Sequence, residues 1–397
     1  MSHNSIFWRI GVLLLLFCCP RIGTAVQDQW IQNREGAKQA YERGEYQEAE
    51  RLYRQAVTEA ERAFGDGDLR IATSLGDLAG FYRNQGKYAE AESLLKQSLS
   101  LREKVVGKED ISLTEDLNNL AWVHYTYGNN EEAEELFRRV LAIQEKVVGP
   151  EHRSLATATG NLAMACAASQ KHEMAESLYL RSLSILEKSL GTDHLTVATT
   201  LDHLAEFHRK QGRYSDAETY LRRSLAIRER SLGPLDSMVG TTLDSLAMIC
   251  YSQRKFSEAE PLYERSLAIW EKVLGPDHPM VATSLYNLAA LDTVQKKYDE
   301  AEPLYLRALT IRNKGWMEGL NSLALLYVAQ AKYADAEALY RQALASLSKT
   351  FDPDRKNLSL TLQNYASLLR KLGRRTEASK METRAKKVRE RVNHVLP

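Results

Sequence analysis

Residues 256–298 read FSEAEPLYERSLAIWEKVLGPDHPMVATSLYNLAALDTVQKKY and contain the repeating unit of the chain. Two stretches in it carry apolar residues at spacings of three or four, which predicts two amphipathic helices. Gly275 and Pro276 lie between them. Glycine can end a helix in a left-handed conformation and proline cannot continue it, so this pair predicts the turn between the two helices. Pro279 suits the first turn of the next helix, where its missing N–H has no intrahelical partner.

Two alanines mark every copy of this unit, and they are always 12 residues apart, as Ala289 and Ala301 are. The second alanine recurs every 42 residues from Ala49 to Ala301, then after 35 residues at Ala336 and after 42 at Ala378. A fixed period of this size indicates a stacked repeat architecture. Small side chains let the two helices of a hairpin approach to about 8–10 Å between axes. We therefore expect Ala289 and Ala301 to meet where the helices cross.

Two prolines, Pro261 and Pro303, lie inside the apolar pattern of the longer helices. Proline is tolerated in the first turn of a helix but breaks its interior. We therefore expect these helices to begin near Ser257 and Asp299.

A short motif recurs in the copies: Leu-Ala, an aromatic or small residue three positions on, a turn glycine, and then Tyr-x-x-Ala. It resembles the tetratricopeptide repeat, and the 42-residue spacing with the Leu-Gly-Pro-Asp-His-Pro turn resembles the kinesin-light-chain type of that repeat. The resemblance covers about residues 28–395. It implies an all-α fold, a right-handed α-solenoid of about nine stacked helix-turn-helix repeats. The glycines are Gly44, Gly86, Gly128, Gly212 and Gly373, and the tyrosines are Tyr46, Tyr88, Tyr214, Tyr298 and Tyr333.

The chain divides into residues 1–25, predicted to be a secretory signal peptide, and residues 26–397, predicted to be the repeat array. Arg9, the apolar run 10–19, Pro20 and the small residues before position 26 are typical of a cleaved signal. This predicts an exported, periplasmic or secreted protein with no stable membrane insertion after cleavage. An uncleaved anchor, or a lipoprotein modified at Cys18 or Cys19, stays open as an alternative. Within the array we expect a shortened connection near 311–320 and a basic capping helix at 376–392.

Charge argues against a nucleic-acid partner. Removing residues 1–25 takes away two arginines and no acids, so 53 − 2 = 51 basic residues face 52 acidic ones. Phosphate binding needs clustered Lys and Arg, which this balance does not provide globally. The basic helix 376–392 is expected to be a solvated cap, with a docking patch for an acidic partner or anionic lipid as the alternative.

No arrangement of catalytic, cofactor-binding or metal-binding residues is recognisable, so we expect no enzyme activity, no cofactor and no metal. Cys166 and Cys250 are two repeats apart, about 20 Å at about 10 Å per step, whereas a disulfide needs Cα atoms within about 7 Å. We expect free, buried thiols. The recurring acid–His pairs, such as Asp193-His194 and Asp277-His278, are expected to cap turns and helices.

The remaining candidates lie on the first, Leu-Ala-containing helix of each copy, which in the resembled family lines a concave groove. The resemblance implies that an Asn two positions before the alanine holds the main chain of a bound peptide. Nearby apolar residues would take a side chain of that peptide, and nearby basic residues would take an acid. The candidate groove residues are Asn119, Trp122, Tyr125, Asn161, Met164, His203, Arg209, Lys210 and Asn287.

The sequence therefore predicts a non-catalytic protein–protein interaction scaffold that binds an extended peptide or partner segment. Two simpler interpretations stay open, namely that the Asn residues only solvate a helix and that Trp122 only packs against the neighbouring copy. A structural or assembly factor is the alternative function, acting by self-association, through the convex face or through the basic C-terminal helix. The sequence leaves the partner and the oligomeric state undetermined.

Overall fold

A computed structural model describes residues 27–312, 316–346 and 355–393 of the 397-residue chain. Within these residues the fold is all-α, and the helices pack as nine consecutive pairs, as the repeat pattern predicts. The predicted signal peptide, residues 1–25, lies outside the described residues, as do residues 313–315 of the shortened connection.

The first of two compact units ends at Thr192. Its described part holds four helix pairs, in which a shorter first helix packs against a longer second helix. The pairs are α1 (27–42) with α2 (Tyr46–Phe64), α3 (Leu69–Asn84) with α4 (Tyr88–Val106), α5 (Thr114–Tyr127) with α6 (Asn130–Val148), and α7 (Leu155–Ala168) with α8 (His172–Leu190).

The second unit begins at Asp193 and holds five helix pairs in its described part. α14 ends at Ile311 and α15 begins only at Met317, which is where the 35-residue step shortens the connection. The pairs are α9 (Leu195–Lys210) with α10 (Tyr214–Leu232), α11 (Ser237–Ser252) with α12 (Phe256–Leu274), α13 (Pro279–Val294) with α14 (Tyr298–Ile311), α15 (Met317–Ala329) with α16 (Tyr333–Ser346), and α17 (Arg355–Lys371) with α18 (Arg375–Asn393).

Turn residues end and start these helices as the sequence predicts. The second helices from α2 to α12 each end at a glycine with a φ between 77 and 87°, a region that side chains with a Cβ avoid. In the acid–His pairs, the histidines cap helices, as expected. The Nδ1 atoms of His194 and His278 accept hydrogen bonds from the N–H groups of Thr196 and Met280, at 3.1 Å in both cases. Asp236 caps α11 in the same way, by accepting from the Met238 N–H at 2.7 Å.

The alanines lie in the core, as expected. Ala289 and Ala301 have no exposed surface and share one cluster with Tyr305 and Leu323. Serines strengthen several pairs from within. For example, the buried Ser182 hydroxyl of α8 donates to the Ala156 carbonyl of α7 at 2.8 Å.

The predicted helix starts near Ser257 and Asp299 are confirmed to within one residue, but the expectation that the prolines lie in a first turn is wrong. α12 begins at Phe256 and α14 at Tyr298, so Pro261 and Pro303 are each the sixth residue of their helix. Backbone hydrogen bonds ahead of the proline set the start of the helix, such as that from the Ala259 N–H to the Lys255 carbonyl, at 3.0 Å. The bond that each proline removes would have ended on an exposed residue, where water can solvate the carbonyl.

Both cysteines of the repeat array are free and buried, as predicted. Burial raises the pKa of the Cys166 thiol to about 11 and raises that of Cys250 as well. They pack as apolar side chains.

Candidate protein-binding face

Trp122 of α5 is half-buried and borders an open cavity. Its ring stands edge-on to Tyr125 at 5.5 Å and to Phe137 of α6 at 5.6 Å, measured between ring centroids. Phe137 therefore holds one side of the indole while another side is open to solvent. The cavity has a volume of about 370 Å³ and is lined by Arg83, Asn84, Tyr88, Trp122 and Thr126.

Asn119 and Asn161 flank this region, and each already has one partner within the protein. The Asn119 Oδ1 accepts from the Arg83 guanidinium at 2.6 Å. The Asn161 Nδ2 donates to the Asn118 Oδ1 at 3.0 Å. An amide side chain has two N–H donors and an acceptor oxygen with two lone pairs, so both residues keep capacity for a ligand. Met164, one turn from Asn161 on α7, is half-buried.

The bond from Asn161 to Asn118 belongs to a wider pattern that sequence reasoning missed. In three copies, the residue two positions before the first alanine bonds to the residue three positions before the first alanine of the preceding copy, 43 residues earlier. Asn364 donates to Asn321 at 3.0 Å, and Asp77 pairs with Arg34 at 2.5 Å. The asparagines two positions before the alanine were expected to bind a ligand, but part of their role is therefore to stabilise the packing between neighbouring copies. The sequence does contain a signal for these contacts, namely polar residues 43 positions apart, but the 42-residue repeat period does not reveal it.

The charged candidates of the second unit lie together on α9, and they are partly neutralised. Arg209 contacts Glu206 with two nitrogens, at 2.6 and 2.8 Å, and Lys210 lies 3.7 Å from the same carboxylate. The hydrogen bond that Arg209 donates to Glu206 is the main cause of the raised pKa of Arg209. His203 is exposed on the same helix. Two cations face one acid, so a partner carboxylate would compete with Glu206.

Beside these charges is a second cavity, with a volume of about 280 Å³. It lies between α9 and α11, and its borders include Glu206, Arg209, Thr241 and the exposed Met248. A cavity with an apolar wall and an ion pair at its edge can take a side chain that has both an apolar stem and a polar end.

Asn287 of α13 is half-buried and makes no hydrogen bond to any residue that the structure describes. Its amide therefore keeps its full hydrogen-bonding capacity. Among the three predicted asparagines, Asn287 is the one whose amide is not used between copies.

Two groups of three side chains have ligand atoms close enough to surround one cation: Glu218, Cys250 and Glu258, and Glu260, Asp292 and Glu300. The first group lies on α10, α11 and α12, the second on α12, α13 and α14, and neither includes a candidate groove residue. Neither group was predicted from the sequence. In the part of the chain that the structure describes, none of the helices has both the length and the apolar character to cross a bilayer.

A family model described as Tetratricopeptide repeat matches residues 37–104, 70–146, 153–230, 238–314 and 317–391. No curated protein matches the chain.

Solved structures share the fold. The apo form of RapI has a TM-score of 0.65 at 12% identity, over 92% of this chain and 99% of that one. The apo form of the quorum sensor NprR from B. thuringiensis has a TM-score of 0.58 at 16% identity, over 91% and 99%. A putative kinesin light chain with nearly identical TPR-like repeats from Podosopora anserina is 26% identical over 53% of this chain and 97% of that one, with a TM-score of 0.48.

Proposed function

This chain belongs to the tetratricopeptide repeat family, and from that premise we propose that it is a non-catalytic scaffold that binds an extended peptide or partner segment along its first helices. Stacked repeats of this kind provide extended surfaces for protein–protein interaction. The proposal concerns which face is used and which residues make the contacts.

The observation that carries the proposal is the state of Trp122. Trp30 and Trp270 are buried, and their indole N–H groups donate to Ser74 at 2.8 Å and Asp244 at 2.9 Å. Trp122 is half-buried beside an open cavity, and its indole makes no hydrogen bond to a described residue. A half-exposed Trp next to Tyr125 fits an anchor for an apolar side chain, since Trp and Tyr are enriched among residues that dominate binding energy.

The other candidate residues supply polar contacts within their own unit. In the first unit, Asn119 and Asn161 offer amide groups to a bound main chain beside Trp122, with Met164 adding apolar surface. In the second unit, Asn287 offers a free amide. Arg209 and Lys210, beside His203, offer a net positive charge to an acidic side chain that competes with Glu206.

The test is a selection of peptides from a random display library on residues 26–397, followed by affinity measurement on variants. Trp122→Ala should weaken binding of the selected peptides more than tenfold, because loss of an anchor aromatic costs about 2 kcal/mol or more. Asn161→Ala added to it should weaken binding further. The matched control is Leu180→Ala, which removes an exposed apolar side chain from a second helix, α8. Equal binding by wild type and the Trp122→Ala variant, with unchanged helical content, would contradict the proposal.

A second candidate function is assembly through the second helices. Val105 and Val147 occupy the same position in successive copies and are 48% and 59% exposed. Sedimentation at rising concentration separates the two functions. Self-association that Val147→Lys abolishes, without effect on selected peptides, would favour assembly.

We also propose export by the signal at residues 1–25. Amino-terminal sequencing of the secreted or periplasmic protein should begin at Val26. A blocked amino terminus that carries lipid at Cys18 or Cys19 would contradict cleavage before Val26 and support the lipoprotein alternative.

A further inference from the structure

Several copies have a polar residue three positions after their first alanine. In two copies this residue is a tyrosine: the Tyr82 hydroxyl donates to Glu50 at 2.8 Å, and the Tyr327 hydroxyl donates to Glu302 at 2.9 Å. The same glutamates pair with Lys87 at 3.1 Å and Lys332 at 2.9 Å. A hydroxyl and an ammonium together satisfy the carboxylate.

In the seventh copy, Asp292 takes the place of the tyrosine, and the local balance changes. Lys297 still pairs with Glu260 at 2.6 Å. The Asp292 side chain, however, brings a second carboxyl group instead of a donor. Asp292 is only 3% exposed, and its Oδ1 is buried with no hydrogen-bond partner. A buried carboxyl oxygen without a partner is costly unless a proton or a cation satisfies it.

More acids surround Asp292. Glu260, Asp292 and Glu300 each place one oxygen within 4.8 Å of the others. Glu264 lies close enough on α12 to act on Asp292 electrostatically. With Asp292 ionised, four carboxylates face one ammonium, that of Lys297, which is a net charge of −3. Desolvation, with help from these acids, raises the pKa of Asp292 to about 6, although Lys297 opposes the shift.

We propose that Glu260, Asp292 and Glu300 form a binding site for one divalent cation of calcium size. Calcium binds carboxylate oxygens at about 2.3–2.6 Å in flexible geometry, so one ion can bridge oxygens up to about 5 Å apart, whereas Mg²⁺ demands near-ideal octahedral geometry at about 2.0–2.1 Å. All three ligands are hard oxygen donors, which disfavours softer metals. Ion binding would join α12, α13 and α14 and satisfy the buried Asp292 oxygen.

The other group of three contains Glu218, Cys250 and Glu258. Its carboxylates are already neutralised by neighbouring cations, so it does not favour binding of a metal ion. Arg222 contacts Glu218 at 2.7 Å and Glu258 at 2.6 Å, and Lys255 contacts Glu218 at 2.7 Å. Two cations of the protein already occupy these carboxylates. At the position 42 residues after Arg222 stands Glu264, so the charge at this point is reversed in the Asp292 group.

The experiment is a titration of the metal-free chain with CaCl₂ at pH 7.5, followed by calorimetry and by thermal unfolding. The wild type should bind one Ca²⁺ and melt at a higher temperature in its presence, because a ligand that binds only the folded state stabilises it. Asp292→Asn should reduce the affinity at least thirtyfold. Mg²⁺ at the same concentration should give a smaller shift.

Two variants take their residues from other copies of this chain, which keeps the fold intact. Asp292→Tyr reproduces the arrangement of Tyr82 and Tyr327 and should abolish the response to Ca²⁺. Lys297→Asn copies Asn129, the equivalent residue of the third copy, and should tighten binding roughly three- to tenfold, because it removes a repelling charge a few ångströms from the ion.

A folded wild type that gives neither heat nor a melting shift with millimolar Ca²⁺ would overturn the proposal. Unchanged Ca²⁺ affinity in a folded Asp292→Tyr variant would do the same. Neither result bears on peptide binding at Trp122, which lies in the other unit.

Discussion

At the residue scale, one backbone position is left-handed in every turn from a first helix to its second helix. Five copies have glycine there, as at Gly212 with a φ of 73° and Gly373 with a φ of 78°. The other four carry residues with a Cβ in the same conformation, with φ values of 60–64°: Gln170, Arg254, Lys296 and Ala331. The fold therefore imposes this conformation on the turn even where the sequence does not favour it.

Lys296→Gly and Arg254→Gly should each stabilise the protein by about 0.5–1 kcal/mol. A residue with a Cβ is disfavoured by about 1–2 kcal/mol in the left-handed region. Glycine avoids this cost, but its larger conformational entropy in the unfolded chain offsets part of the gain in stability. Urea unfolding measures the change. Gly212→Ala is the reverse control and should destabilise by a similar amount. Loss of stability in both glycine variants would contradict this account of the turn.

Asp292 should also make stability depend on pH in a calcium-free buffer with chelator. Its pKa in the folded state is raised to about 6, above the value of about 3.9 in an unfolded chain. The folded state therefore holds the proton more tightly, and stability is lost as pH rises from about 4 to about 6. The loss is about 2–3 kcal/mol, because each tenfold difference in proton affinity between the folded and unfolded states corresponds to about 1.4 kcal/mol.

The measurement for Asp292 is the difference between wild type and Asp292→Asn in urea unfolding at pH 4.5 and pH 7. Taking the difference removes the contribution of groups common to both proteins to the pH dependence of stability. Glu218 is one of these groups, and its pKa of about 2 means that its contribution to stability is lost as pH falls, which is the opposite direction. The charged groups that face Asp292 are Glu260, Glu264, Lys297 and Glu300. A difference that does not vary with pH would mean that Asp292 titrates normally.

At the element scale, ion pairs connect neighbouring helix pairs in register. Glu134 of α6 is 4% exposed and pairs with Lys171, which stands just before α8, at 2.8 Å. Glu218 pairs in the same way with Lys255 at 2.7 Å. Burial alone would raise the pKa of Glu218, but hydrogen bonds from Lys255, Arg222 and Gln253 outweigh it and lower the pKa to about 2. In these two cases, one within each unit, a copy thus receives a charge-assisted contact from the next copy.

Helix α15 depends on a glycine at a close approach. A Cβ on Gly319 would lie 2.7 Å from Cε3 of the Trp316 ring and 3.1 Å from Leu309 Cδ2. We expect Gly319→Ala to destabilise the protein by about 1–3 kcal/mol through overpacking. The matched control is Gly80→Ala in α3, where a Cβ meets nothing within 4 Å. That change should stabilise by up to about 1 kcal/mol, since alanine is the better helix former. Thermal unfolding that moves both variants in the same direction would refute the steric explanation.

At the scale of the whole molecule, stability should be close to a sum over copies, because each helix pair contacts mainly its neighbours. Deleting residues 233–274 removes one period of 42 residues and joins Leu232 to Gly275, which replaces one turn glycine by its equivalent. Glu218 then meets Lys297 where it met Lys255, so the ion pair between copies is kept.

The deletion variant should fold with nearly unchanged helical content per residue. Its urea m-value should be lower by roughly a tenth, because m scales with the surface exposed on unfolding. Circular dichroism during urea unfolding measures both. Deleting only residues 233–253 is the control, since it leaves a second helix without its first helix and should reduce cooperativity. A full-period deletion that is as disrupted as the half-period one would show that the copies are not interchangeable.

The helix pairs, and several of their boundaries and caps, could be predicted from the amino-acid sequence. They depend on local chemistry and on a period that repeats nine times, as Gly275 with Pro276, the capping His278 and the alanine pair Ala289 and Ala301 illustrate. The family and a general role in protein binding follow from the same signals. The first-turn placement of the two prolines was wrong, because each helix begins five residues before its proline.

Which polar side chains are occupied, in contrast, became visible only in the packed array. Asn161 is engaged by Asn118 and Asn287 is not, although both satisfy the same sequence pattern. Asp292 lies among acids because Glu264 and Glu300 come from two different helices packed beside it. The physical reason is that the partner of a side chain depends on the residue that the neighbouring copy places within about 3 Å of it. The repeat period predicts that neighbour's backbone position, but the chemistry of the contact varies from copy to copy.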